Sequence, residues 1–225
     1  MQDKTISLSA AIAAALAGSA ALSVAQADQD DNVQSISEWS YDELDEGMSA
    51  EEFLDAEVYD QEGDNIGELE DLVVAGGGER ITGMVIETGG FLDIGDTHLV
   101  YPYDKAEIQS TDSVQVSIDG ENVEEFSLFD AEGEPIPGEK WRITELIGDY
   151  AYTADGGYGW IEDVVIDKSG QIKAVVVDPD VTYGIDGYYA WPFYAGYYNP
   201  VAGIYEVPYT LNEVSTLDPF GYDTL

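Results

Sequence analysis

The chain has 225 residues, of which 47 are acidic and 7 are basic, and its formal net charge is −40. A nucleic-acid-binding surface needs clustered Lys and Arg, so this charge excludes nucleic acid as a partner. The sequence contains no Cys, which excludes disulfides, thiolate nucleophiles and Cys-based metal sites. An acidic surface with few Lys is the expected adaptation to a salty medium, because the Debye length falls to about 3 Å at molar salt. The alternative is a dedicated surface for cations or for a cationic partner.

The chain begins with the features of a cleaved export signal. A short polar start with one Lys precedes an apolar run from Ile6 to Val24, and Ala25-Gln26-Ala27 is a small-x-small cleavage pattern. We therefore predict that residues 1–27 are a signal peptide, with an uncleaved anchor as the alternative. The mature protein is then periplasmic or secreted. No later segment approaches about 20 continuous apolar residues, so we expect no transmembrane segment after cleavage.

The rest of the chain divides by composition into two modules with connecting segments. The acidic residues 28–53 predict a flexible leader, with one helical turn where Ser49 and Glu52 form a capping-box pattern. The later segments are a first module, a linker, a second module with an aromatic insertion, and a tail, at residues 54–130, 131–145, 146–215 and 216–225.

The first module has the pattern of a small β-barrel. Short apolar strands are predicted at residues 56–59, 66–74, 81–88, 98–103 and 114–118. Residues 122–129 form a further strand or a short helix. Because these strands are short and separated by Gly-containing turns, a compact barrel is the favoured architecture.

The second half of the chain repeats the first. Residues 58–74 and 150–166 share a strand, a Gly turn and a Glu-Asp pair followed by aliphatic residues, with Asp71 equivalent to Asp163. The strand that ends Val100-Tyr101-Pro102-Tyr103 matches Glu206-Val207-Pro208-Tyr209. On this alignment, the second copy carries an aromatic insertion between its third and fourth strands.

The first copy resembles the PRC-barrel domain, a family named after the H subunit of the photosynthetic reaction centre. The resemblance rests on Val58-x-Asp60-x-x-Gly63, Ile66-Gly67-x-x-x-Asp71-Leu72, Gly89-Gly90-Phe91-Leu92-Asp93-Ile94-Gly95 and Val100-Tyr101-Pro102-Tyr103. It implies a strongly bent β-barrel that mediates protein contacts, with no shared catalytic residues. The Gly-Phe-Leu-x-x-Gly element is missing from the second copy. The expected fold is mainly β, with two small PRC-type β-barrel modules in tandem after a cleaved signal peptide.

The aromatic insertion is the leading candidate for a binding surface. Tyr and Trp provide large, rigid contact areas that are enriched at interfaces. The alternative is that these rings cap the barrel or join the two modules. The candidate residues are Tyr183, Tyr188, Tyr189, Trp191, Phe193, Tyr197 and Tyr198.

Other chemistry has weaker support in the sequence. Asp60, Glu62 and Asp64 alternate around Gly63 and are candidate ligands for a weak calcium site, with a solvated turn as the alternative. His98 is the only His, so a Ser-His-Asp triad would require it, and no nucleophile-elbow motif accompanies it. Pairs of carboxylates arise freely among so many acidic residues and therefore indicate little about acid–base catalysis.

We therefore expect a non-enzymatic periplasmic or envelope protein that is adapted to high salt. It is expected to act as an interaction scaffold for an unidentified protein partner, and no cofactor is expected. A calcium-binding protein is the alternative. A carbohydrate-active hydrolase, with paired carboxylates and with aromatic rings stacked on sugar, is less favoured.

Overall fold

The computed structural model describes residues 33–75, 77–89, 96–118, 122, 126–129, 140–184 and 186–225. The predicted signal peptide, the Gly90 to Gly95 part of the family motif and most of the predicted linker lie outside these residues. Residues Asn32–Leu225 form one compact unit. No helix of the described ranges has the length and apolar character needed to cross a membrane.

Strands dominate the described part of the chain. In chain order they are β1 (Met48–Ser49), β2 (Glu57–Tyr59), β3 (Asn65–Ala75), β4 (Ile81–Gly89), β5 (Asp96–Pro102), β6 (Glu107–Ser110), β7 (Ser113–Gln115), β8 (Ser127–Phe129), β9 (Lys140–Arg142), β10 (Tyr150–Thr153), β11 (Gly156–Ile166), β12 (Ile172–Pro179), β13 (Tyr189–Pro192), β14 (Tyr198–Asn199) and β15 (Ile204–Glu206). The α-helices are α1 (Ala50–Phe53), α2 (Ile143–Leu146) and α3 (Leu211–Val214). Short 3₁₀ helices cover Ile36–Glu38, Tyr41–Leu44, Tyr103–Lys105, Val181–Tyr183, Ala195–Tyr197 and Tyr222–Thr224.

The strands form two sheets that share the order of six strands, which confirms the two tandem β modules, and β8 is an additional edge strand of the first sheet. The first sheet has the order β6-β7-β2-β3-β4-β5-β8. In the matching direction, the second sheet has the order β14-β15-β10-β11-β12-β13. Most neighbouring strands are antiparallel, but β2 pairs in parallel with β7, and β10 pairs in parallel with β15. These two parallel pairings occupy equivalent places, so the repeat includes the parallel strand at the far side of each module.

A register shift in each central strand explains why an Asp points into the core. The pairing of β3 with β4 slips between Leu69 and Asp71, and that of β11 with β12 slips between Ile161 and Asp163. A β-bulge bends its strand and changes the direction of the following side chains. Asp71 and Asp163 are therefore both buried in sequences that otherwise alternate.

The fourth strand of the second module differs from the sequence alignment. Tyr101 lies opposite Met84 in the first module, and Trp191 lies opposite the equivalent Val175 in the second. The match of Val100-Tyr101-Pro102-Tyr103 is therefore Ala190-Trp191-Pro192-Phe193, and the match to Glu206-Val207-Pro208-Tyr209 was wrong. Much of the predicted aromatic insertion is thus an ordinary barrel strand. Its rings fill the interior because alternate side chains of a barrel strand point inward.

The two modules exchange the segments that lead into them. Strand β1, which precedes the first module, pairs with β11 of the second, with Ser49 opposite Val165. Strand β9, which precedes the second module, pairs with β3 of the first, with Arg142 opposite Val73. The connection from β3 to β4 also meets the connection from β11 to β12, at an antiparallel bridge between Arg80 and Gln171. The two modules are therefore related by an approximate two-fold axis, and their buried residues form one continuous core.

Residues 33–53 pack against the second module, which corrects the expectation of a flexible leader there. Ile36, Trp39 and Leu44 are buried, and the Trp39 Nε1–H donates to the Ala190 carbonyl oxygen over 3.0 Å. The tail approaches the same strand, because the Phe220 N–H donates to the Tyr188 carbonyl oxygen over 2.7 Å. Both segments cover the free edge of β13, which would otherwise expose unpaired backbone groups. The predicted helical turn occurs, with the Ser49 hydroxyl accepting from the Glu52 N–H.

Candidate functional site

The structure divides the predicted aromatic residues into a buried and a partly exposed group. Tyr189, Trp191 and Phe193 are almost completely buried. The Trp191 ring contacts Tyr158 inside the barrel, with centroids 4.9 Å apart. The Phe193 ring packs on Tyr205 at 5.6 Å. These rings therefore contribute to the core of the second module.

The remaining four predicted aromatic residues lie closer to solvent but do not form one surface. Tyr188 is half-buried and contacts Tyr222 of the tail. Tyr198 contacts Trp141 of β9 at 4.8 Å and donates to Asp149, so it packs against the exchanged segment. Tyr197 is half-buried next to Tyr194, and Tyr183 is exposed in the connection between β12 and β13.

Tyr183 stacks on the buried Tyr158 ring, with centroids 5.5 Å apart, and lies next to a different cluster that the sequence did not predict. Tyr150 and Trp160 face each other across β10 and β11, and their rings meet edge to face with centroids 4.9 Å apart. Tyr152 contacts Tyr150 at 5.1 Å. The hydroxyl of Tyr183 donates to the Gly157 carbonyl oxygen in the same hairpin. We refer to Tyr150, Tyr152, Trp160 and Tyr183 as the aromatic platform.

Trp160 is the most accessible part of the aromatic platform. Its exposed fraction is 53%, whereas the other three Trp residues of the chain are buried. Trp160 is not an isolated surface ring, because it adjoins Tyr150, which in turn contacts Tyr152, and contiguous exposed apolar patches mark interaction sites. Tyr150 beside it is held in place by a hydrogen bond from its hydroxyl to Asp180. The platform is therefore a rigid, partly apolar surface.

The equivalent face of the first module carries carboxylates instead of rings. Tyr150, Trp160 and Asp178 lie side by side in the second module, through the pairings of Tyr150 with Trp160 and of Trp160 with Asp178. The matching row in the first module is Glu57, Glu68 and Glu87. Since the two modules share a fold, this difference is specific to the outer surface of the second one. In the sequence, the aligned repeats place Trp160 where the first copy has Glu68, and this difference was the signal that could have identified the aromatic platform.

The predicted cation ligands are engaged in a turn. One carboxylate oxygen of Asp60 accepts the N–H groups of Glu62 and Asp64, at 2.8 Å and 2.9 Å. This is an Asx turn, in which a carboxylate takes the place of a backbone acceptor. Among the described residues, no group of three or more His, Cys, Asp or Glu side chains is arranged to hold a metal ion.

Comparison with known families decides the class of the two modules. A profile of the PRC-barrel domain matches residues 45–123 and 139–212. The chain belongs to the PRC-barrel family. It contains two tandem copies of the domain, as the first-module motif and the internal repeat predicted. No curated protein shows significant sequence similarity to the chain. PRC-barrel domains are generally non-catalytic.

The main cluster of buried charge lies at the seam between the two PRC-barrels. Glu70 Oε2 is 3.0 Å from His98 Nε2, and the guanidinium of Arg142 lies 3.7 Å from Glu70 and 3.6 Å from Asp71. Arg142 belongs to the exchanged strand β9, so this cluster binds the second barrel's lead-in segment to the first barrel. His98 is therefore a packed residue of the seam, as its occurrence as a single His favoured.

Burial also changes the titration of the central Asp residues. Desolvation raises the pKa of the Asp71 carboxyl, although hydrogen bonds from Thr144 and Leu72 and the charge of Arg142 act in the opposite direction. Desolvation likewise raises the pKa of Asp163. Both carboxyls accept backbone hydrogen bonds within the PRC-barrels, so their positions are explained by structure. They form no exposed acid–base pair.

Proposed function

We propose that this protein is a non-enzymatic interaction module of the periplasm or cell envelope, adapted to high salt, and that it binds a partner protein through the aromatic platform. The observation that carries the proposal is Trp160, which is 53% exposed on a face where the sister barrel has Glu68. An exposed Trp supported by neighbouring Tyr rings has the composition of an interaction hot spot.

The location and the salt adaptation are supported by the sequence. The apolar run and the Ala25-Gln26-Ala27 pattern support export. The net charge of −40 supports a medium of high ionic strength, in which self-repulsion is screened. Export is tested by following the secretion and cleavage of the native chain. The double variant Ala25→Arg and Ala27→Arg should block that cleavage.

A photo-crosslinking experiment tests the interaction surface. Benzoylphenylalanine replaces Trp160 in one variant and Glu68 in another, so that the same position of each barrel carries the same reactive ring. After irradiation of the envelope fraction in molar salt, position 160 should give a discrete crosslinked species. Position 68 should not give that species. The same products at both positions, or none at position 160, would contradict binding through this surface.

A further inference from the structure

The aromatic platform has a charge environment as well as a shape. Asp178 pairs with Trp160 across the sheet and is exposed, and Asp180 accepts the Tyr150 hydroxyl. Glu206 lies opposite Tyr152 and is also exposed. Rings with accessible faces are therefore bordered by carboxylates on more than one side.

Positive charge is absent from the segments that build the platform. The sequence has no Lys or Arg from residue 143 to residue 167, and none after Lys173. All four platform residues lie within these two stretches. The rings therefore have no cation from their own segments stacked on them, although Trp and Tyr faces attract cations through the quadrupole of the ring.

The charge complementarity points to a cationic occupant. We propose that the aromatic platform binds Arg or Lys side chains of a basic segment in the partner protein. The cation lies over the face of Trp160, and its charge is shared with Asp178 and Asp180. This inference rests on the proposed function, because it names the chemistry of the partner for the same surface.

The first barrel shows why rings and carboxylates are both needed. Its row of Glu57, Glu68 and Glu87 offers negative charge alone, which attracts any cation and is screened by salt. A ring face adds a contact that depends less on long-range attraction, because the cation is partly desolvated against it. In molar salt, the second barrel is therefore the one able to hold a guanidinium or ammonium group selectively.

The experiment compares a charged ligand with its neutral isostere. The protein is labelled with 5-fluorotryptophan, the Trp160 resonance is assigned with Trp160→Leu, and binding is followed by ¹⁹F NMR in 1 M NaCl. The ligands are a Gly-Ser peptide with three Arg residues and the same peptide with three citrullines, each titrated to millimolar concentration. We expect the Arg peptide to bind roughly 2- to 30-fold more tightly than the citrulline peptide.

Two variants separate ring contact from general attraction. Trp160→Leu keeps an apolar side chain and should lose the preference for the Arg peptide over the citrulline peptide. Because this variant has no Trp160 resonance, binding is followed by the broadening of the peptide's own NMR signals. Glu68→Gln removes one charge at the equivalent position of the other barrel and should retain it. Circular dichroism checks that both variants are folded, which the exposure of both positions favours.

Other results would overturn the inference. These are equal binding of the two peptides, no Arg-dependent shift at millimolar peptide, or an equal loss of preference in both variants. A neutral oligosaccharide that perturbs Trp160 more strongly than the Arg peptide would identify a sugar-binding surface instead. If crosslinking at position 160 still captures its discrete species while the charge preference is absent, the interaction surface stands and only the proposed partner chemistry fails.

Discussion

Asp71 of the first barrel and Asp163 of the second occupy equivalent positions, and each caps the short helix that leads into the other barrel. Asp71 accepts the N–H of Thr144 at 3.3 Å and its hydroxyl at 2.5 Å, at the start of α2. Asp163 accepts the N–H of Glu51 at 3.0 Å, at the start of α1. Because each barrel holds the other's lead-in segment, we expect the two to unfold together.

Replacing one of these caps should destabilise the whole protein. Asp71→Ala removes a buried acceptor of the Thr144 and Leu72 hydrogen bonds, so we expect a loss of about 2 kcal/mol in the free energy of unfolding. Calorimetry in molar salt should show one transition that moves as a whole. Asp112→Ala removes an exposed carboxylate and should change stability by less than about 0.5 kcal/mol. Two transitions, of which only one shifts, would show independent barrels.

Stability should depend on pH through the buried Asp163. Burial raises the pKa of this carboxyl, so the folded state holds its proton more tightly than the unfolded chain does. This contribution therefore grows as the pH falls through the folded-state pKa and is lost as the pH rises through it. Urea denaturation of Asp163→Asn at constant molar salt should show a flatter dependence on pH than the wild type. Identical slopes would be evidence against this assignment.

Two glycines allow neighbouring strands to approach closely. A Cβ at Gly159 would overlap the carbonyl oxygen of Asp178, and one at Gly67 would overlap that of Glu87. Gly159→Ala should therefore lower the melting temperature clearly, because backbone atoms must move to accommodate the methyl group. Gly196 faces open space, so Gly196→Ala is the control and should be nearly neutral. Equal melting temperatures for the two variants would be inconsistent with this packing.

Salt should stabilise the fold by screening. With a net charge of −40, the melting temperature followed by circular dichroism should rise as NaCl increases from low to molar concentration. Calcium chloride at equal ionic strength should add no specific stabilisation, because Asp60 is engaged in its own turn. A saturable rise at low calcium, lost in Asp60→Asn, would instead favour the calcium-binding alternative.

Trp160 should dominate the accessible fluorescence of the folded protein. Trp39, Trp141 and Trp191 are buried, so acrylamide is expected to quench mainly Trp160. Trp160→Phe should remove most of the quenchable emission while leaving the circular dichroism spectrum unchanged. Quenching that persists in this variant would mean that another Trp reaches solvent and that the platform is packed differently.

Local patterns were enough to predict the modules. Strand alternation, Gly turns and the repeated Glu-Asp pair are properties of neighbouring residues, so the sequence alone indicated two β-barrels and the equivalence of Asp71 and Asp163. The alignment failed at the fourth strand because Val-Pro-Tyr and Trp-Pro-Phe are both plausible strand ends. The pairing of Trp191 with Val175 shows that Trp-Pro-Phe is the fourth strand's end, and this pairing is a contact between strands that a local sequence pattern does not reveal.

The sequence by itself determined this protein's extreme charge and its repeated β modules. Only the tertiary structure decided which aromatic rings are exposed, because burial depends on the strands and segments that pack over each ring. Trp191 is buried on β13, whereas Trp160 lies on the outer face of β11, two strands away in the same sheet. The exchange of lead-in strands was equally beyond local reasoning, since β1 and β9 pair with strands far away in the sequence.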